Sequence, residues 1–116
     1  KNIIRSVEFY EKILGGKVLM DSGPGIVKVA NTWIIVNIGG GPTEDKPDYT
    51  LVAPDPGNNR VNSFLNIRVA DIHACYKEWK EKGAEFLTEP MDRGNEIRCY
   101  MKDPDGYIIE VGEATG

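Results

Sequence analysis

The chain has 116 residues, a net charge of −4 and a sequence pI near 5.0, with 41% apolar and 28% charged residues. That is enough for one core, as a single domain or as two half-size modules sharing a sheet. Lys and Arg are scattered among acids without the basic stripe of a nucleic-acid binder. No apolar run approaches the roughly 18 residues a membrane span needs, and no leader pattern stands at the start. No nucleic-acid or membrane partner is expected, and the expected location is cytoplasmic.

Ile3, Val7, Tyr10 and Leu14 are spaced as one face of a helix. Asn2 is a good cap before it, and Gly15-Gly16 stops it. Lys17 to Met20 reads as a strand, Gly25 to Ala30 as another, and Trp33 to Val36 as a third after a turn at Asn31-Thr32. Ile38 to Arg60 is rich in Gly, Pro, Asp and Asn, a long connection in which Tyr49 to Val52 can add a short strand. Gly39-Gly40-Gly41 runs into Pro-Thr-Glu, so it is a flexible turn and not a phosphate loop. Leu65, Ile67 and Val69 then alternate with Phe64, Asn66 and Arg68 in a half-buried strand over Val61 to Val69.

The pattern now repeats. Asp71 caps a helix carrying Ile72, Tyr76 and Trp79, with Gly83 as its stop. Strands follow at Glu85 to Thr88, Glu96 to Lys102 and Tyr107 to Glu110, the last at an offset of 74 from Trp33 to Val36. The second copy has a leading strand that the first lacks, whose counterpart would end at Lys1. The expected fold is α+β: two βαβββ modules, the first without its first strand, forming a curved mixed sheet around a pocket with helices outside. The modules are expected over 1–38 and 61–116, joined by a loop over 39–60. Cys75 and Cys99 form no Cys-x-x-Cys pair and are expected to be reduced, small buried hydrophobes.

Ser6-Val7-Glu8-Phe9-Tyr10-Glu11-Lys12-Ile13-Leu14-Gly15 resembles the S-x-x-F-Y-x-x-x-L-G helix of the glyoxalase/bleomycin-resistance/dioxygenase (vicinal oxygen chelate) superfamily. Asp103-Pro104-Asp105-Gly106-Tyr107-Ile108-Ile109-Glu110 resembles its D-P-D-G-N-x-x-E signature, and Ile67 to Ile72 resembles the start of its second module. The resemblance spans nearly the whole chain and implies paired βαβββ modules around a pocket. It also implies, for metal-dependent members, four ligand seats on the first and last strands of the modules. One seat precedes Lys1. The others fall at Val36 (or Ile34 in a slipped register), at Phe64 and at Glu110, and of these only Glu110 can ligate. A catalytic ion typically takes about three protein ligands, so no cofactor is expected. The alternative is a divalent Zn, Ni, Fe or Mn with Glu110 as one ligand.

Strand alternation turns Phe64, Asn66 and Arg68 away from the helix, together with Arg98, Tyr100 and Glu110. The expected pocket therefore has walls of Phe64, Tyr100, Ile34 and Val36 around Arg68, Arg98, Asn66 and Glu110, an apolar hollow with a few convergent polar groups. Two arginines beside one glutamate would favour a ligand bearing a carboxylate or phosphate. His73, the only histidine, sits just after its helix cap and is expected to face solvent, outside any catalytic arrangement. Three readings follow. The first is a metal-free binding module for a small, partly apolar and anionic molecule, of the homodimeric kind the resemblance implies. The second is a metal-dependent glyoxalase-type lyase or extradiol-type dioxygenase. The third is an interaction domain of a larger protein.

Overall fold

The computed structural model describes residues 2–37, 39–55, 57–61 and 63–115. The expected module limits at Lys1 and Ile38, and Asn62 of the expected 61–69 strand, lie outside the described residues. The chain is α+β, as expected, and clusters into two compact units, Lys1–Asp55 and Pro56–Gly116.

In the first unit, helix α1 spans Ile3–Glu8 and starts where Asn2 Oδ1 accepts from the Arg5 N–H at 3.0 Å. It then widens into a π-helical turn over Phe9–Ile13. A wider turn lets two consecutive side chains point inward. Phe9 and Tyr10 are both buried, with their rings edge-on at 5.0 Å. Ile13 joins them, while Leu14, expected in the stripe, is only half-buried. The spacing rule assumed 3.6 residues per turn throughout and misses this shift. The element stops where Gly16 donates to the Tyr10 carbonyl at 2.9 Å; a Cβ there would stand 2.9 Å from that same oxygen.

Strands β1 (Lys17–Asp21), β2 (Gly25–Val29) and β3 (Thr32–Val36) form an antiparallel sheet in that order. The β2–β3 turn is Ala30-Asn31, one residue earlier than expected, with Ala30 at φ +54°. Gly25 faces α1: a Cβ on it would collide with Val7 and come within 3.1 Å of Ile3 and 3.4 Å of Val36. Gly25 pairs with Val36 and Val27 with Ile34, so those four share the helix side. The opposite, open side carries the cross-strand row Met20, Ile26, Ile35 and, beside it, Trp33. Of the expected strand at Tyr49 to Val52, only an isolated bridge remains, with Leu51 donating to the Gly40 carbonyl at 2.8 Å.

In the second unit, β4 (Leu65–Arg68) leads into α2 (Ile72–Glu81). Asp71 Oδ1 accepts from the Ala74 N–H at 3.1 Å and Glu113 Oε1 from the Ile72 N–H at 2.8 Å, so two carboxylates satisfy the donors of the helix start. At its end Gly83, at φ +100°, donates to the Lys80 carbonyl and Ala84 to the Trp79 carbonyl, the paired bonds of a Schellman stop. Then come β5 (Glu85–Phe86), β6 (Met91–Asp92), β7 (Glu96–Lys102) and β8 (Ile108–Ala114). The strand expected to reach Thr88 is thus shorter, and β6 is an addition; both pair with β7. The sheet order is β4-β8-β7-β5, with β4 parallel to β8 and the rest antiparallel. Ile109, Val111, Cys99 and Met101 lie on the helix side and are almost fully buried with Ile72. Among the described residues no helix is long and apolar enough to cross a membrane.

Candidate functional site

The site is set up by a turn. Asp103 is buried, and its Oδ1 accepts from the Asp105 and Tyr107 N–H groups at 2.8 and 2.9 Å. Gly106, at φ +91°, supplies the left-handed residue that bends the chain back. The turn fixes the register in which Lys102 faces Ile108, and every later pair follows by twos. Tyr100 therefore lies opposite Glu110, and Arg98 opposite Gly112. On the other edge of β8, Asn66 faces Glu110 and Arg68 faces Gly112. Two cross-strand rows result on the open face: Asn66, Glu110, Tyr100 and Arg68, Gly112, Arg98.

Gly112 is the bare point of the second row. A Cβ there would run into the Arg68 guanidinium and stand 3.1 Å from Glu96 Oε1. Arg68 lies across this gap, and its Nη1 donates to Glu96 Oε1 at 2.9 Å. Arg98 Nη1 donates to Glu96 Oε2 at 3.0 Å, so one carboxylate bridges two guanidiniums. Those hydrogen bonds, Arg68's the larger effect, hold the Glu96 carboxyl below its usual range and raise the Arg98 guanidinium. Glu110 is only 7% exposed. Its Oε1 accepts from the Tyr100 hydroxyl at 3.3 Å, and its Oε2 lies 3.9 Å from Arg68 Nη1. Burial, then the Glu110 charge, pushes the Tyr100 phenol up. Phe64, just before β4 and half-exposed, meets the Tyr100 ring edge-on at 5.7 Å.

Six of the expected site residues thus belong to one face: Phe64, Asn66, Arg68, Arg98, Tyr100 and Glu110. Ile34 and Val36 do not share it. They sit on the helix side of the first unit's sheet, where Val36 is buried against Gly25, while Trp33 and Ile35 take that sheet's open side. Glu96 and Gly112 complete the cluster. Glu96 was legible in principle, two residues before Arg98 on the same strand face. It changes the charge balance: two arginines face two glutamates, where sequence set them against one.

Glu110 has the Tyr100 phenol, the Arg68 guanidinium and, across the β4–β8 ladder, Asn66 beside it, and Phe64 holds the seat the resemblance assigns to a ligand. Among the described residues no group of three or more His, Cys, Asp or Glu is placed to hold a metal. His73 is exposed on α2. Cys99 lies on the helix side of β7, where burial pushes its thiol up to about 11, far from a reactive thiolate.

Comparison with known proteins gives a consistent picture. Residues 1–111 match the family described as Glyoxalase/Bleomycin resistance protein/Dioxygenase superfamily. A lactoylglutathione lyase of Haemophilus influenzae is 26% identical over 111 residues, covering 94% of this chain and 82% of that protein. One from Salmonella typhimurium is 29% identical over 118 residues, covering 95% and 83%. Among solved structures, a glyoxalase/bleomycin resistance protein/dioxygenase from Alicyclobacillus acidocaldarius has a TM-score of 0.73 at 14% identity, covering 99% of this chain and 85% of that one. The fosfomycin resistance protein FosX from Listeria monocytogenes has a TM-score of 0.69 at 16% identity, covering 99% and 86%. At such identities the two structures speak for the fold alone.

Proposed function

The chain belongs to the Glyoxalase/Bleomycin resistance protein/Dioxygenase superfamily, and from that premise we propose that it binds a small, partly apolar molecule bearing an anionic group on the open face of its second sheet, without a complete metal site. The observation that carries the reading is the Arg68–Glu96–Arg98 bridge beside the Phe64–Tyr100 aromatic pair. Aromatic rings offer an apolar body its contact area, and guanidiniums fix a carboxylate or phosphoryl head by charge-assisted hydrogen bonds. The balanced charge of the cluster makes the attraction local and directional instead of a broad positive field. A homodimer in the cytoplasm belongs to the same proposal.

A second reading is a metal-dependent enzyme, either a glyoxalase-type lyase, as the curated relatives are named, or an extradiol-type dioxygenase. It draws on their name and on Glu110, a largely buried carboxylate with one long hydrogen bond. Elemental analysis of the purified chain separates the two. The binding reading predicts less than stoichiometric Zn, Ni, Fe or Mn, and no change on Glu110→Gln. One metal per chain that disappears in Glu110→Gln would overturn it and favour the enzyme.

A further inference from the structure

We infer that Gly112 is the specificity-determining position of this site: by leaving β8 bare where Arg68 crosses it, Gly112 aligns Arg68 with Arg98 as a two-guanidinium seat for one carboxylate or phosphoryl group. The inference rests on the binding reading above and adds to it a residue with no functional group.

Arg68 starts on the sheet's edge strand β4, and Glu96 stands on β7, with β8 between them. A guanidinium reaches Glu96 only by lying flat across β8, and Gly112 is the residue at the crossing. The atoms a Cβ would meet are all side-chain ends: Nη1 and Cζ of Arg68, and Glu96 Oε1 at 3.1 Å. None of these three nearest atoms is backbone, so an alanine methyl would displace flexible side-chain ends, the Arg68 guanidinium most and the Glu96 carboxylate slightly. With glycine present, Arg68 and Arg98 each donate one Nη1 to opposite oxygens of Glu96. Their Nε and Nη2 groups donate to no other described residue. Arg68 is about half exposed and Arg98 about a third. Two planar forks, each anchored by one nitrogen and each with free donors, match an oxyanion with two or three acceptor oxygens. Glu96 serves as the organiser: it cancels the repulsion between the two guanidiniums and fixes their spacing before a ligand arrives.

The test uses 2-naphthylacetate and its neutral analogue 2-naphthylacetamide, titrated into the full chain and followed by NMR of the backbone and of the arginine Nε–H groups. The native chain should prefer the carboxylate by at least about tenfold, the worth of one charge-assisted hydrogen bond, with shifts at the Arg68 and Arg98 Nε–H. Gly112→Ala should keep its melting temperature and spectral dispersion while losing most of that preference. Arg68→Gln, which leaves the strand untouched, should lose it equally. Full preference retained in either variant would overturn the role of Gly112 and leave the binding reading standing. A native chain that binds neither compound would overturn the binding reading itself, and the inference with it.

Discussion

The two sheets follow the same alternation and end with opposite open faces. In the first unit, the open side of β2–β3 pairs Ile26 with Ile35 and Trp33 with Lys28, an exposed surface that is apolar but for the lysine. In the second, the open side of β7–β8 pairs Tyr100 with Glu110 and Arg98 with Gly112, a surface of charge and hydrogen bonds. The helix sides are alike: Val27, Met101, Ile109 and Val111 are almost completely buried. A shared architecture therefore fixes which face is core and leaves the other free to diverge, as expected when packing constrains one face of a sheet and function the other.

The sharpest break of this comparison is at the core positions. Met101→Ala should cost about 2–5 kcal/mol, the range for emptying a packed site. Ile35→Ala, on an open face, should cost less than about 1 kcal/mol. Equal losses in urea unfolding would show that Ile35 is packed and the faces misassigned. The hairpin turns come next. Asp103→Ala removes the acceptor of two turn N–H groups and should cost about 1–3 kcal/mol, whereas Ala30→Gly relieves a left-handed alanine and should be neutral or gain up to about 1 kcal/mol. Matching signs for the two would contradict the turn geometries.

A smaller effect concerns acid. Glu96's carboxyl is lowered by its bonds to Arg68 and Arg98. Its contribution is present above the ordinary glutamate value of about 4.3 and is lost as pH falls through the lowered folded value. Glu96→Gln should therefore flatten the acid limb of the stability curve; an unchanged limb would mean the bridge does not form in solution. The smallest effect is optical. Trp33 is 58% exposed and Trp79 only 8%. Acrylamide should quench the first strongly and the second weakly, and Trp33→Phe should leave a blue-shifted, protected emission.

Much of the second unit was legible from sequence because polar and apolar residues alternate along Leu65 to Val69 and Glu96 to Lys102. Leu65, Ile67, Cys99 and Met101 point to the helix side and Arg68, Arg98 and Tyr100 to the other, as a period of two requires. The first unit was harder, since Trp33 to Val36 is apolar throughout and carries no parity. The repeat offset of 74 was then the only guide, and it pairs Val36 with Glu110, residues from opposite faces. A slip of one residue exchanges faces, which is why Ile34 and Val36 were expected in a pocket and lie on the helix side, Val36 buried and Ile34 half-buried. The β2–β3 turn has two residues, while 103–107 lie between the paired ends of β7 and β8. An offset carried across turns of such different length has no reason to keep the same face. Gly112 could not be found from sequence at all: its importance lies in what crosses it, and only the β4–β8–β7 order reveals that.

The most direct test of the account is to map where an anionic aromatic ligand lands. Titrating 2-naphthylacetate into the isotope-labelled chain should give saturable shifts at Asn66, Arg68, Arg98, Tyr100 and Glu110, on the charged face of the second sheet. Saturable shifts confined to Met20, Ile26, Trp33 and Ile35 would place the site on the apolar face of the first sheet and contradict the account.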